Sequence, residues 1–124
     1  MEDIISSMMS YKYSSEIYEP LTLTQETDFR SLIQCERDHV WLNLCQSDTA
    51  IIEEIGGQLD VHELVMSNIF HLSQQPKIED FEDYCYLTCK IVHVNTDDSA
   101  QLEHEQISML IFKNALICIH EYPS

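Results

Sequence analysis

The sequence predicts an α/β (α+β) domain, a mixed, largely antiparallel β-sheet with helices packed on its faces. Three observations carry this. From Cys85 to Val94 the chain alternates, with Cys85, Leu87, Cys89 and Ile91 on one face and Tyr84, Tyr86, Thr88, Lys90 and Val92 on the other. Gln106–Phe112 and Ala115–His120 read as two more strands joined at Lys113-Asn114, completing a three-strand antiparallel run. Asn tolerates positive φ, which suits a two-residue hairpin turn. Upstream, one strand is followed by two stretches with apolar residues at helical period.

In chain order, Met1–Ser10 shows no clear period. Tyr11–Thr24 reads as one strand carrying Ile17, Tyr18, Leu21 and Leu23, and Pro20 within it calls for an edge position or a bulge. Thr27–Gln34 is a short helix with Phe29, Leu32 and Ile33 inward, and Arg37-Asp38 is a turn. His39–Leu44 is a strand with Val40, Leu42 and Leu44 on one side and Trp41 on the other. Ser47 is the expected N-cap of the next helix, with Asp48 suited to its positive end. Ile51, Ile52, Ile55 and Leu59 form its stripe, and Gly56-Gly57 are expected to end it. A second helix spans Asp60–His71, with Asp60 as cap, Glu63 reaching back to it, and Val61, Leu64, Val65, Ile69 and Phe70 as its apolar stripe. Pro76 stops any continuation. The acidic patch Glu79–Asp83 reads as a solvated loop or strand entry, and Asn95–Ala100 as a polar turn.

At 124 residues the chain is one domain, 1–124. Its 22 acidic and six basic residues give a net charge of −16. Such a surface repels nucleic acid and an anionic membrane face and attracts divalent cations; it also keeps a protein soluble. The five cysteines form no C-x-x-C pair. Cys85 and Cys89 lie roughly 13 Å apart along one strand face, too far for a disulfide, so reduced, buried thiols are expected. No apolar run reaches membrane-spanning length, and the acidic N-terminus is unlike a signal peptide. With two glycines and no G-x-S-x-G, neither a phosphate cradle nor a hydrolase elbow is present. The six histidines form no H-E-x-x-H and read as surface or half-buried residues.

Several segments in order resemble the cytoplasmic N-terminal domain of the CorA family of magnesium and cobalt channels. HELVMSNIF (His62 to Phe70), QQPKIEDFEDY (Gln74 to Tyr84) and the strand CYLTCKI (Cys85 to Ile91) follow the family's helix, joint and strand. EQISMLIFKNALICIHE (Glu105 to Glu121) follows its "E-Q-V-S-x-I-L-x-x-N-x-L-x-x-F-x-E", and VWLNL (Val40 to Leu44) its earlier strand. The resemblance implies a regulatory domain without catalysis, on the cytoplasmic side of the inner membrane. It would belong to a homo-pentamer transporting Mg2+ or Co2+, which also act as regulatory ions, with no covalently bound cofactor and no nucleic-acid partner. The family's metal sensor is an acidic pair on the helix equivalent to Asp60–His71; Ser67 and Asn68 occupy those places here, so either another carboxylate, such as Glu63, substitutes, or this member senses weakly. Gln75 stands where the family has arginine. The family's stalk, pore helices and "G-M-N" loop are missing from this chain, which ends at Tyr122-Pro123-Ser124 just after a strand and is expected to be an excised domain, monomeric by itself. A zinc-transporting relative and a stand-alone acidic module binding a basic protein are the alternatives; the downstream reading frame separates the module from the channel.

Overall fold

The computed structural model describes residues 5–6, 8–71, 75–95 and 101–122. Seven strands make one sheet: β1 (Ser10–Tyr13), β2 (Tyr18–Leu21), β3 (His39–Cys45), β4 (Lys77–Asp80), β5 (Cys85–Asn95), β6 (Gln101–Ile111) and β7 (Ala115–His120). The described residues also form three helices: α1 (Phe29–Ile33), α2 (Thr49–Gln58) and α3 (Glu63–Ile69). Strand order is β2-β1-β3-β7-β6-β5-β4. Only β3 and β7 run parallel and every other pair is antiparallel, so the sheet is mixed and largely antiparallel as expected.

Alternation along the central strands sorts the core. Val40, Leu42 and Leu44 pair with Ala115, Ile117 and Ile119, and Ile117 pairs with Leu110, which pairs with Tyr86. All of these share one face and one buried cluster with Phe29 of α1, Ile51, Ile52 and Ile55 of α2, and Val65 and Ile69 of α3. The three helices therefore lie on a single face. On the other face, Trp41, Leu116, Ile111 and Cys85 sit side by side in neighbouring strands. Trp41 is 43% exposed and Ile111 39%. Tyr11 stacks on Tyr18 at 5.0 Å and approaches Trp41 at 6.3 Å, extending this apolar face to the β2 edge.

Several local expectations are corrected. The first strand is two, a hairpin whose reversal is made by Ser14: its hydroxyl accepts the Glu16 and Ile17 amides, and its own amide donates to the Ile17 carbonyl. Pro20 does lie on an edge strand. The patch from Glu79 begins inside an additional strand, β4, which pairs Lys77–Asp80 with Cys85–Thr88. β6 starts at Gln101, earlier than expected. The Lys113-Asn114 turn closes with the Phe112 amide donating to the Ala115 carbonyl, but neither turn residue has positive φ. Residues 96–100 of the expected polar turn, and Gln74 of the joint, lie outside the described residues.

The α2–α3 joint departs most. α2 continues through both glycines to Gln58. Asp60 takes the left-handed place after the helix, at φ 55, and the Val61 amide donates to the Gly56 carbonyl, a Schellman closure. Asp reaches this conformation because its short polar side chain lessens the steric cost. A Cβ at Gly56 would lie 2.6 Å from the flexible end of Met66 on α3, which would have to shift. Gly57 faces open space. Gly57→Ala is therefore expected to stabilise the domain by about 0.5–1 kcal/mol through helix propensity alone, read as a higher urea midpoint at unchanged slope; a lower midpoint would contradict this placement.

The caps differ as well. Asp48, not Ser47, is the N-cap of α2, and its side chain makes no cap bond; Oδ2 accepts the Cys45 amide at 2.9 Å instead. Asp28 caps α1, accepting the Ser31 amide at 3.1 Å and hydroxyl at 2.9 Å. These bonds, with a smaller contribution from Arg30, hold its carboxyl below the usual carboxylate range. The stabilisation is therefore present above the unfolded carboxylate pKa and is lost as pH falls through the folded one.

Candidate functional site

α3 is seven residues long, too short to persist alone, so its position is set by packing. Val65 and Ile69 seat it on the core, while Leu64, expected inward, is 68% exposed. Its N-cap is His62 in place of Asp60: Nδ1 accepts the Leu64 amide at 3.0 Å. The His62 amide donates to the Tyr84 hydroxyl at 2.9 Å. Phe81 lies between the two rings, 5.8 Å from His62 and 4.8 Å from Tyr84, and Tyr84 reaches Phe112 at 5.4 Å. This aromatic ladder pins the start of α3 to the β4–β5 turn.

Between them lies a cleft of about 400 Å3. Its walls hold Asp60, Glu63, Glu82 and Asp83 and, among the described residues, no Lys or Arg. Asp60 and Asp83 also border a neighbouring cleft that Arg30 and Gln58 line. The four carboxylates come from two chain segments brought together by the ladder. Among the described residues no group of three His, Cys, Asp or Glu could hold a metal ion. The cleft is thus an open region of negative potential, which raises local cation concentration without a fixed coordination shell.

The expected sensor residues sit at the far end of α3. Ser67 is exposed and Asn68 half-buried, and the Asn68 carbonyl accepts the Phe70 and His71 amides. Glu63 is one helical turn before Ser67, on the same side of the helix. Gln75 is exposed. The patch Glu79–Asp83 is divided: Glu79 pairs with Lys77 at 3.0 Å, Asp80 lies beside Cys85, and of its carboxylates Glu82 and Asp83 reach the cleft. Sequence reading singled out Glu63 and the patch separately; it missed Asp60 as a cleft residue because Asp60 was read as a helix cap.

All five cysteines are unpaired; Cys45 and Cys118 are buried and the other three half-buried. Burial pushes the Cys118 thiol up, and desolvation and the Asp80 carboxylate raise Cys85, so both are protonated, weak nucleophiles at neutral pH. His39, His62, His71 and His104 are exposed. His120 is half-buried, its Nδ1 3.6 Å from Glu105 and its Nε2 3.4 Å from the Asn43 side-chain oxygen. No helix among the described residues is long and apolar enough to cross a membrane.

Strand order, the lone parallel pair and the placement of the helices define the class: an α+β domain of the CorA soluble-domain type. The full-length CmaX protein superposes with a TM-score of 0.74 at 9% identity, over 99% of this chain and 37% of that one. The ZntB cytoplasmic domain from Vibrio parahaemolyticus gives 0.64 at 16% identity, over 94% of this chain and 44% of that one. In sequence, the cobalt/magnesium transport protein CorA of Thermotoga maritima is 29% identical over 82 residues, which is 65% of this chain and 23% of that protein. Residues 36–124 match the model of the CorA-like Mg2+ transporter protein family, and the chain belongs to that family. It spans about a quarter of the length of the Thermotoga protein.

Proposed function

We propose that this chain is the cytoplasmic regulatory part of a CorA-like divalent cation transporter that carries Mg2+ or Co2+. It performs no catalysis and acts through electrostatics in a homo-pentamer. The family match over residues 36–124 carries this reading. The cleft supports it: four carboxylates with no Lys or Arg among the described residues on the walls favour a hard cation, which takes oxygen ligands. At α3, Ser67 and Asn68 offer neutral oxygens, and Glu63 supplies the charge they lack. Cations between neighbouring subunits screen the repulsion between chains of −16 charge and favour the closed assembly. When they leave, like charge loosens the ring and the pore opens. The likeness to the ZntB domain supports a second reading in which the transported ion is zinc.

The test is a Mg2+ titration of the full-length protein that follows subunit separation and transport together. Separation and transport should both fall as Mg2+ rises, and Glu63→Gln should move the midpoint to higher Mg2+. Transport insensitive to Mg2+ would remove the regulatory role. In the 124-residue chain, Mg2+ at about tenfold its Kd should add about 1.4 kcal/mol of stability, more than NaCl of equal ionic strength.

A further inference from the structure

The β5–β6 hairpin outruns the rest of the sheet. The two strands pair from Cys85↔Ile111 to Asn95↔Gln101. β4 covers β5 only as far as Thr88, and β7 pairs with β6 only from Ile107 to Ile111. Beyond those limits the hairpin continues as a two-stranded ribbon. The outer β5 segment, Cys89–Asn95, adds roughly 24 Å at about 3.4 Å per residue. A lone two-stranded ribbon is marginal in water and gains stability from a third strand. Among the described residues, no strand pairs with the outer edge of this β5 segment.

The edges of this sheet are not equally guarded. β2 carries Pro20 and Glu19. β4 is four residues long, and Lys77, Glu79 and Asp80 are charged. Such features block edge-to-edge pairing. β5 has neither proline nor acid: Tyr84 to Thr96 contains no Asp or Glu and one Lys, Lys90, in a chain with 22 acidic residues. Ile91 and Val92 on it are exposed.

We propose that the outer edge of Cys89–Asn95 pairs antiparallel with the same segment of a second copy, joining two ribbons into a four-stranded sheet. The occupant follows from charge. Two chains of −16 repel across most surfaces, whereas this edge meets its copy without opposing any acidic residue of either β5. The edge is also self-complementary, as a two-fold contact requires. The contact replaces the monomer that the family resemblance implies for the isolated domain. It is independent of the transporter reading, because a two-fold contact does not build a five-membered ring.

Sedimentation of the 124-residue chain tests it. A monomer–dimer equilibrium is expected, shifting toward dimer with added salt as repulsion is screened. The amides of 89–95 should exchange more slowly at high protein concentration. Ile91→Lys with Val92→Lys should weaken association roughly tenfold or more, as charges on an edge strand do. Trp41→Lys, on the uncovered sheet face, should leave it unchanged. A chain monomeric at millimolar concentration overturns the proposal, as does a dimer lost with Trp41→Lys. Should the double variant fail to fold, the exchange comparison on the unaltered chain decides: equal rates for 89–95 at both concentrations overturn the proposal.

Discussion

Replacing Phe29 by alanine is expected to cost about 3–5 kcal/mol of folding stability. Phe29 is fully buried and is the one fully buried residue of the five-residue helix α1. Its amide donates to the Gln58 side-chain oxygen at 2.7 Å, and the Gln58 amide group donates to the Thr27 carbonyl at 2.9 Å. Arg30 in turn donates to the Gln58 carbonyl at 2.8 Å. A helix this short has no stability of its own, so ring and amide clamp act together. A domain of this size is stable by about 6–19 kcal/mol at typical values per residue, so the loss is a large share. Urea unfolding should show a lower midpoint with an unchanged slope. A loss below about 1 kcal/mol would mean that α1 is not held by Phe29, contrary to the core described above.

Asp48→Ala is expected to cost about 1–3 kcal/mol, and Asp48→Asn clearly less. Asp48 joins the end of β3 to the start of α2. Its Oδ2 accepts the Cys45 amide at 2.9 Å and the Ser6 hydroxyl at 3.4 Å, and its own amide donates to the Cys45 carbonyl at 2.8 Å. Alanine leaves a buried Cys45 amide without an acceptor, whereas asparagine keeps an oxygen there. Thermal unfolding of the two variants side by side separates loss of the acceptor from loss of charge. Equal destabilisation by both would assign the effect to charge and contradict the hydrogen-bond account.

What the sequence disclosed was set by pattern length. β3, α2, β5 and β7 each carry enough apolar residues at one period to be read directly, and Pro20 marked an edge. β4 was invisible because Lys-Ile-Glu-Asp is mostly charged and becomes a strand only by pairing with β5. The first hairpin lacked Gly, Asn or Pro at its reversal, which the Ser14 hydroxyl makes instead. At the α2–α3 joint the usual meanings of residues were exchanged: both glycines lie inside the helix, aspartate takes the left-handed turn, and histidine caps. Glu63 and the acidic run were both visible as candidate residues. That Asp60, Glu63, Glu82 and Asp83 share one cleft depends on the His62–Phe81–Tyr84 ladder, a contact between distant segments that no local pattern encodes.

The parallel pairing of β3 with β7 also fixes when the molecule can form. β7 lies between β3 and β6, so among the described residues Ala115–His120 is the strand that links the β1–β2–β3 half of the sheet to the β4–β5–β6 half. During synthesis, the hairpin, β3 and all three helices leave the ribosome well before the strand that joins them to the rest. Closure then brings together residues some 75 positions apart, such as Leu42 and Ile117, a long-range step that slows folding. Until it happens, the apolar face of β3 has no permanent neighbour on that side, and the nascent chain depends on its dense negative charge to stay apart from other copies.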